Sequence, residues 1–265
     1  MNTIATHLTE IQQRIESACR SALRASNSVT LLAVSKTFGV EAIAEAYAAG
    51  QRAFGENYIQ EAVEKIQTFR LQPEFADKKG VEWHCIGPIQ SNKTRLVATH
   101  FDWVHTIDRL KIAQRLSEQR PADLPPLQVC IQVNVDGGIT KSGVAPEDAL
   151  ALAQAVAQLP NLRLRGVMCI PEPAPDFVAA CAVFTRARAV FDALNTHHSD
   201  WKIPNLDTLS MGMSADLEAA IASGSTMVRV GSAIFGNRIR DKGVQYQPTQ
   251  NADCSNPCPD SHGGM

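Results

Sequence analysis

The stretch VTLLAVSKT, residues 29–37, decides how the rest of the chain is read. Residues 29–34 are rich in β-branched and aliphatic residues, and polar Asn27-Ser28 bounds them upstream. That is the pattern of a short buried strand. Lys36 follows almost at once. A lysine at the carboxyl end of a buried strand stands where α/β proteins bind ligands. Its small and apolar neighbours predict desolvation of the ammonium and a lowered pKa. A neutral amine is the form that attacks an aldehyde to give a Schiff base. The competing reading is a lysine that marks the strand's exit from the core and snorkels to water. On this stretch alone the second reading is the stronger, and the rest of the chain reverses that order.

Upstream, Ile4, Leu8, Ile11, Ile15, Cys19 and Leu23 recur at helical spacing and predict an amphipathic opening helix. Downstream, strand and helix alternate with short connections. Further strands are expected at 52–55, 82–86, 103–107, 127–135, 162–170, 206–210 and 227–230. Helices are expected at 40–50, 59–66, 93–98, 110–116, 146–159, 177–194 and 216–222. Eight strands alternating with helices argue for a parallel sheet. In a chain of 265 residues they fit a single closed (β/α)8 barrel of the TIM type, with a doubly wound open sheet as the alternative. No G-x-G-x-x-G follows the first strand, which counts against a dinucleotide site. The domain division is a barrel over 1–240 and a tail over 241–265. The tail is poor in aliphatic residues and rich in turn formers, a composition expected to be disordered.

Composition removes several function classes. A net charge of -2 gives no electrostatic footprint for nucleic acid or anionic lipid. No apolar run is long enough to span a bilayer, and MNTIATHLTE lacks the features of a secretory signal. Seven cysteines without framework spacing suit a reducing cytosol, so the expected location is cytoplasmic. Cys85, Cys130 and Cys169 fall in apolar runs and read as small core residues. Cys254, Cys258 and His262 in the tail have no second cluster to complete a metal site, so no metal is expected.

In a barrel the functional groups come from the carboxyl ends of the strands. Those ends supply Lys36, Asn57, His84, Gly87, Asn134, Met168, Pro171, Ser210, Gly212, Ser214, Arg229, Gly231 and Ser232. The loops at 210–214 and 231–236 combine small residues with helix starts, the makings of an anion cradle. Barrels commonly hold phosphate between their seventh and eighth loops. Arg229, inside an apolar strand, needs a partner. Two remain open: a carboxylate such as Glu56, or the nitrogen of a bound heteroaromatic ring. His84 is expected to be a core histidine with its tip in the barrel mouth.

AVSKT (33–37), FGENYIQE (54–61), WHCIGPIQSNK (83–93), KSGV (141–144), RGVMCIP (165–171) and LSMGMSADLEAAIASGSTMVRVGSAIFG (209–236) closely resemble the pyridoxal 5′-phosphate homeostasis protein family, YggS-type in bacteria. The resemblance runs from the opening helix to about Arg238. It implies a barrel like that of alanine racemase and pyridoxal 5′-phosphate as the cofactor. It implies a Schiff base on Lys36, phosphate on Ser210, Ser214, Gly231 and Ser232, and the pyridine nitrogen against Arg229. Asn57 completes the expected site. Two positions depart from the family's pattern. Phe38 stands where many bacterial members carry a second lysine. Residues 136–140, DGGIT, stand where many carry a glutamate before K-S-G.

Two function classes fit these residues. The first is a monomeric protein that carries or buffers the cofactor, with no catalytic residue, and passes it to apo enzymes that need it. The second is an amino-acid racemase, which requires a base on each face of the substrate. In alanine racemases the second base is a tyrosine from a separate domain. Of Tyr47, Tyr58 and Tyr246, only Tyr58 lies next to the expected site. The carrier reading is therefore preferred, and no membrane or nucleic acid is expected as partner.

Overall fold

The computed structural model describes residues 3–72, 80–138 and 141–236. Eight parallel strands form a closed barrel in chain order. They are β1 (Thr30–Val34), β2 (Ala53–Glu56), β3 (Glu82–Cys85), β4 (Trp103–Ile107), β5 (Leu127–Gln132), β6 (Leu162–Met168), β7 (Thr208–Ser210) and β8 (Met227–Val230). Closure comes from the pairing of β1 with β8, where Leu32 stands opposite Arg229. That pairing removes the open-sheet alternative.

Helices follow the first seven strands as expected, and a short one that was not expected follows β8. They are α2 (Val40–Ala48), α3 (Ile59–Leu71), α4 (Thr94–His100), α5 (Leu110–Gln119), α6 (Ala149–Ala157), α7 (Phe177–Asn195), α8 (Leu217–Ala222) and the four-residue α9 (Ser232–Phe235). The opening helix α1 (Ile4–Ser21) starts at Thr3, whose hydroxyl accepts from the Thr6 amide. It buries Leu8, Ile11, Ile15, Ala18 and Cys19, the stripe its periodicity predicts. α9 is one turn long and cannot cover the barrel behind β8. α1 packs against α2, α8 and α9 and so takes the place of an eighth outer helix.

Some strands are shorter than their apolar runs. β5 ends at Gln132, yet Val133 and Val135 beyond it stay buried. Asn134 between them folds its own loop: its Oδ1 accepts from the Gly137 amide, and its Nδ2 donates to the Gly138 carbonyl. Past Gln132 the ladder keeps one rung, the Val133 N–H to the Met168 carbonyl at 2.9 Å, and beyond it the apolar run continues because the loop is covered. The expected tail, with Cys254, Cys258 and Tyr246, lies outside the described residues, as do Ile139 and Thr140. Among the described residues no cluster of three or more metal-binding side chains occurs. No described helix is long and apolar enough to cross a membrane.

The main core lies between barrel and helices, where Leu31, Ala33, Phe54 and Val104 meet residues such as Ile43, Ile66 and Leu116. Alternate strand positions point into the lumen. Part of the lumen is apolar: Leu32, Val34, Ala53, Ile86 and Met227 form one cluster, and Trp103, Cys130 and Met168 another. The rest is polar. His84, His105, Ser210 and Arg229, from four different strands, are buried and hydrogen-bonded to one another. Burial pushes the Cys85, Cys130 and Cys169 thiols up to about 12, so these are inert core cysteines as expected.

Candidate functional site

A cavity of about 320 Å³ opens at the carboxyl ends of the strands. Lys36, Asn57, Ser214, Arg229, Gly231 and Ser232 all line it. Six of the seven expected site residues thus meet in one place. Ser210 does not line it: the side chain is fully buried below the wall, bonded to His105 and Arg229. β7 reaches only from Thr208 to Ser210, and its last residue points into the lumen rather than up to the mouth.

Lys36 is half-buried in the turn after β1, and both flanking residues are fixed. The Ser35 amide donates to the Gly55 carbonyl at 3.0 Å, and its hydroxyl donates to Glu56 Oε1 at 2.7 Å. The Ser35 carbonyl accepts from Lys65 Nζ at 3.0 Å. Thr37, at φ 69°, donates its amide to Glu61 Oε1 at 2.7 Å. Lys65 Nζ also stands 2.7 Å from both Glu56 and Glu61. One lysine and two carboxylates thus clamp the turn from behind. Burial pushes the Glu56 carboxyl up, although Lys65 acts against the rise. The Glu56 reading of Arg229 is thereby corrected, because this carboxylate belongs to Lys65, nine residues along the chain.

Asn57 follows β2 and presents a buried Oδ1 with no hydrogen-bond partner among the described residues. Its backbone is packed against Gly87, where a Cβ would stand 2.2 Å from the Asn57 carbonyl oxygen. Only glycine permits that approach. Across the mouth, Gly212 takes φ +94°, and a Cβ there would lie 2.4 Å from Ala220 Cβ. This bend lets the Gly212 carbonyl accept from the Arg229 amide at 3.0 Å, tying the seventh loop to β8. Arg14 of α1 donates to the Ser214 carbonyl at 3.1 Å and is paired with Glu218. His7 meets the Ile234 carbonyl at 2.8 Å. α1 therefore braces both loops of the expected anion cradle.

Arg229 is buried, and among the described residues no carboxylate forms an ion pair with it. Nη1 donates to Ser210 Oγ at 2.8 Å and Nη2 to the Cys169 carbonyl at 2.9 Å. Among the described residues these are its two side-chain hydrogen bonds, both to neutral acceptors. His84 is not at the mouth as expected. Its ring stacks on Trp103 at 5.2 Å, and its Nδ1 lies 2.9 Å from His105 Nε2. Burial lowers the pKa of both histidines, most strongly for His105. His105 escaped the sequence reading. Its one signal is a polar residue at an inward position of WVHTI.

Other expected contributors lie elsewhere. Asn134 is spent on its own loop. Tyr58 is more than half exposed and is not among the residues lining the cavity. Phe38, where the family often has lysine, lines the cavity and packs on Phe235 with ring centroids 5.2 Å apart. Lys141 lines a neighbouring cavity of about 210 Å³ and is paired with Glu172 at 2.9 Å.

Residues 7–238 match the family model described as alanine racemase, N-terminal domain. The pyridoxal phosphate homeostasis protein of Vibrio cholerae is 56% identical over 238 residues, covering 90% of this chain and 98% of that protein. The protein of the same name from Escherichia coli K12 is 53% identical, covering 91% and 100%. Among known structures, PipY of Synechococcus elongatus with PLP bound is 36% identical, with a TM-score of 0.72. That alignment covers 88% of this chain and all of PipY. Alanine racemase from Corynebacterium glutamicum, 18% identical with a TM-score of 0.58, shares the fold over 89% of this chain and 62% of its own.

Proposed function

The chain belongs to the pyridoxal phosphate homeostasis protein family, and on that premise we propose that it binds pyridoxal 5′-phosphate in the mouth cavity and holds it for release rather than turning over an amino acid. One observation carries this reading: a strand-end lysine and a buried arginine, ion-paired to no carboxylate among the described residues, line the same cavity as Ser214, Gly231 and Ser232. The residues fit the cofactor. The cavity has the volume of a small-ligand site. Asn57 Oδ1 is a buried polar atom in want of a partner among the described residues. The Ile234 and Phe235 N–H groups are taken by the Gly231 carbonyl, which leaves those of Ser232 and Ala233 at the start of the turn to suit phosphate oxygens.

When bound, the cofactor supplies an aldehyde that condenses reversibly with an amine. Lys36 Nζ is the amine this chain offers, and the clamped turn around it fixes the approach. Ser214, Gly231 and Ser232 hold the phosphate, and Asn57 holds a ring substituent. Arg229 presents N–H donors and a positive charge to the ring nitrogen, which keeps that nitrogen unprotonated and the ring a weak electron sink. Ser210 acts through Arg229. All seven residues lie in the proposed barrel domain, 1–240, so one chain makes the whole site, and we take the monomer to be the functional unit. Any incoming amine can displace Lys36, which gives release to an apo enzyme a simple route.

Borohydride reduction followed by peptide mapping tests the site. Purified protein loaded with pyridoxal phosphate is expected to be yellow and to carry the reduced label on the Lys36 peptide. Label found only on Lys93 or Lys141 would overturn the assignment. Lys36→Ala is expected to lose the reducible absorbance while retaining some non-covalent binding. A second arm follows Cα exchange of D- and L-amino acids in deuterated water. Slow exchange is expected. Fast exchange that depends on Tyr58 would favour a racemase.

A further inference from the structure

The lumen beneath the cavity holds a hydrogen-bonded run whose direction is set by its upper end. A guanidinium only donates. Arg229 Nη1 therefore donates to Ser210 Oγ, at 2.8 Å. The Ser210 hydroxyl has one proton to give, and its other side-chain contact among the described residues is His105 Nδ1 at 3.0 Å. His105 Nδ1 is thus the acceptor, and the neutral ring carries its proton on Nε2. That proton points to His84 Nδ1 at 2.9 Å. His84 in turn carries its proton on Nε2, facing Glu82 Oε2, which at 3.7 Å is an electrostatic neighbour rather than a hydrogen-bond acceptor. Running both histidines the other way would leave the Ser210 proton without a side-chain acceptor among the described residues and turn a bare His84 Nε2 lone pair toward the Glu82 carboxylate.

We propose that His105 and Ser210 are positioning residues for Arg229, holding its guanidinium in the plane that meets the ring nitrogen of the cofactor. This rests on the reading that Arg229 faces that nitrogen. Ser210 and the Cys169 carbonyl anchor the two Nη atoms, and His105 turns the Ser210 lone pairs toward Arg229 by taking its proton. The choice of anchors matters. A carboxylate would also pin an arginine, but it would cancel the charge. Neutral anchors pin the group without an ion pair at either Nη, although the Asp216 carboxylate acts on the charge from further away. Both histidines must stay neutral for this, and burial of each ring opposes a second proton.

The test compares pyridoxal phosphate with its 1-deaza analogue, in which CH replaces the ring nitrogen. A hydrogen bond to a charged group predicts that wild type prefers the natural cofactor by about tenfold or more. Ser210→Ala and His105→Phe are expected to lose most of that preference while binding the analogue within a few-fold of wild type. His105→Asn, whose Oδ1 can accept from Ser210, is expected to recover part of it. Equal losses for both ligands would mean a purely structural role and overturn the proposal, as would a preference unchanged in the variants. No preference in wild type would instead overturn the reading of Arg229 and, with it, the purpose assigned to the run. Nitrogen-15 NMR of the unsubstituted protein checks the direction without any variant. The expected signal is an unprotonated Nδ1 and a protonated Nε2 on His105, and a proton on Nδ1 would overturn the relay.

Discussion

Ser214 offers a hydroxyl at the cavity wall, while its carbonyl is held from behind by Arg14. The hydroxyl is thus presented on a braced loop. A hydrogen bond to a charged group contributes about 1.5–3 kcal/mol. Ser214→Ala is therefore expected to weaken pyridoxal phosphate binding by about tenfold or more and to leave pyridoxal, which has no phosphate, nearly unchanged. Titration with both ligands checks this, and equal losses would place Ser214 away from the phosphate. At this scale the sequence is most legible where polar residues interrupt apolar strands at their carboxyl ends, as Lys36, Asn57 and Arg229 do. It is least legible where the partner is distant. Ser210 and His105 are 105 positions apart and meet only because the barrel closes. Arg229 and Glu56 both needed partners, but which partner each would find depended on the register across the lumen and on the face that α3 turns inward.

The turn between β1 and α2 shows how an element is held by its neighbours. Lys65 on α3 reaches under it, bonding the Ser35 carbonyl and Glu56, with both charged side chains buried. Removing one member of a buried pair leaves an uncompensated charge and costs about 3–5 kcal/mol. Lys65→Met is expected to fall in that range by urea denaturation and to weaken cofactor binding as the Lys36 turn loosens. Adding Glu56→Gln should restore part of the stability, because no fully buried bare carboxylate remains, Glu61 being partly exposed. Additive losses would show that the pair is not the source. Element type and order were readable throughout, since strand runs and helix periods alternate strictly. Element ends were not. α6 begins only after a 3-10 turn at Pro146–Asp148, and the one-turn α9 carries too few residues to show a period. The role of α1 as the missing eighth outer helix follows from that short α9, so it is visible only with the barrel closed.

The whole molecule stores a pH dependence in its lumen. His84 and His105 sit in the folded barrel with pKa values below the ordinary 6.5, chiefly because burial disfavours the charged ring. The groups facing them are mixed. Glu82 and Asp102 favour a proton on His84 and Arg165 opposes it, whereas His84 and Arg229 both oppose one on His105. Above the ordinary value both states are neutral there, and the histidines add no slope. Below it the unfolded chain takes up protons that the folded barrel refuses, so stability falls as pH falls from about 6.5, by about 1.4 kcal/mol per pH unit for each refused proton. Glu56 and Asp102 act in the opposite sense, since burial raises both and the folded state keeps their protons above the usual carboxylate range. Comparison with a variant separates the two effects. Urea unfolding between pH 7.5 and 5.5 is expected to show wild type losing stability, and His105→Asn losing less, with slopes differing by about one proton below pH 6.5. His105 is the informative site because its charged neighbours are a cation and another imidazole, and neither stabilises a second proton. Identical slopes would mean that the folded barrel lets His105 titrate as freely as the unfolded chain does. The ring would then be charged at mildly acidic pH, its Nδ1 would donate rather than accept, and the hold on Arg229 would be lost in the same range.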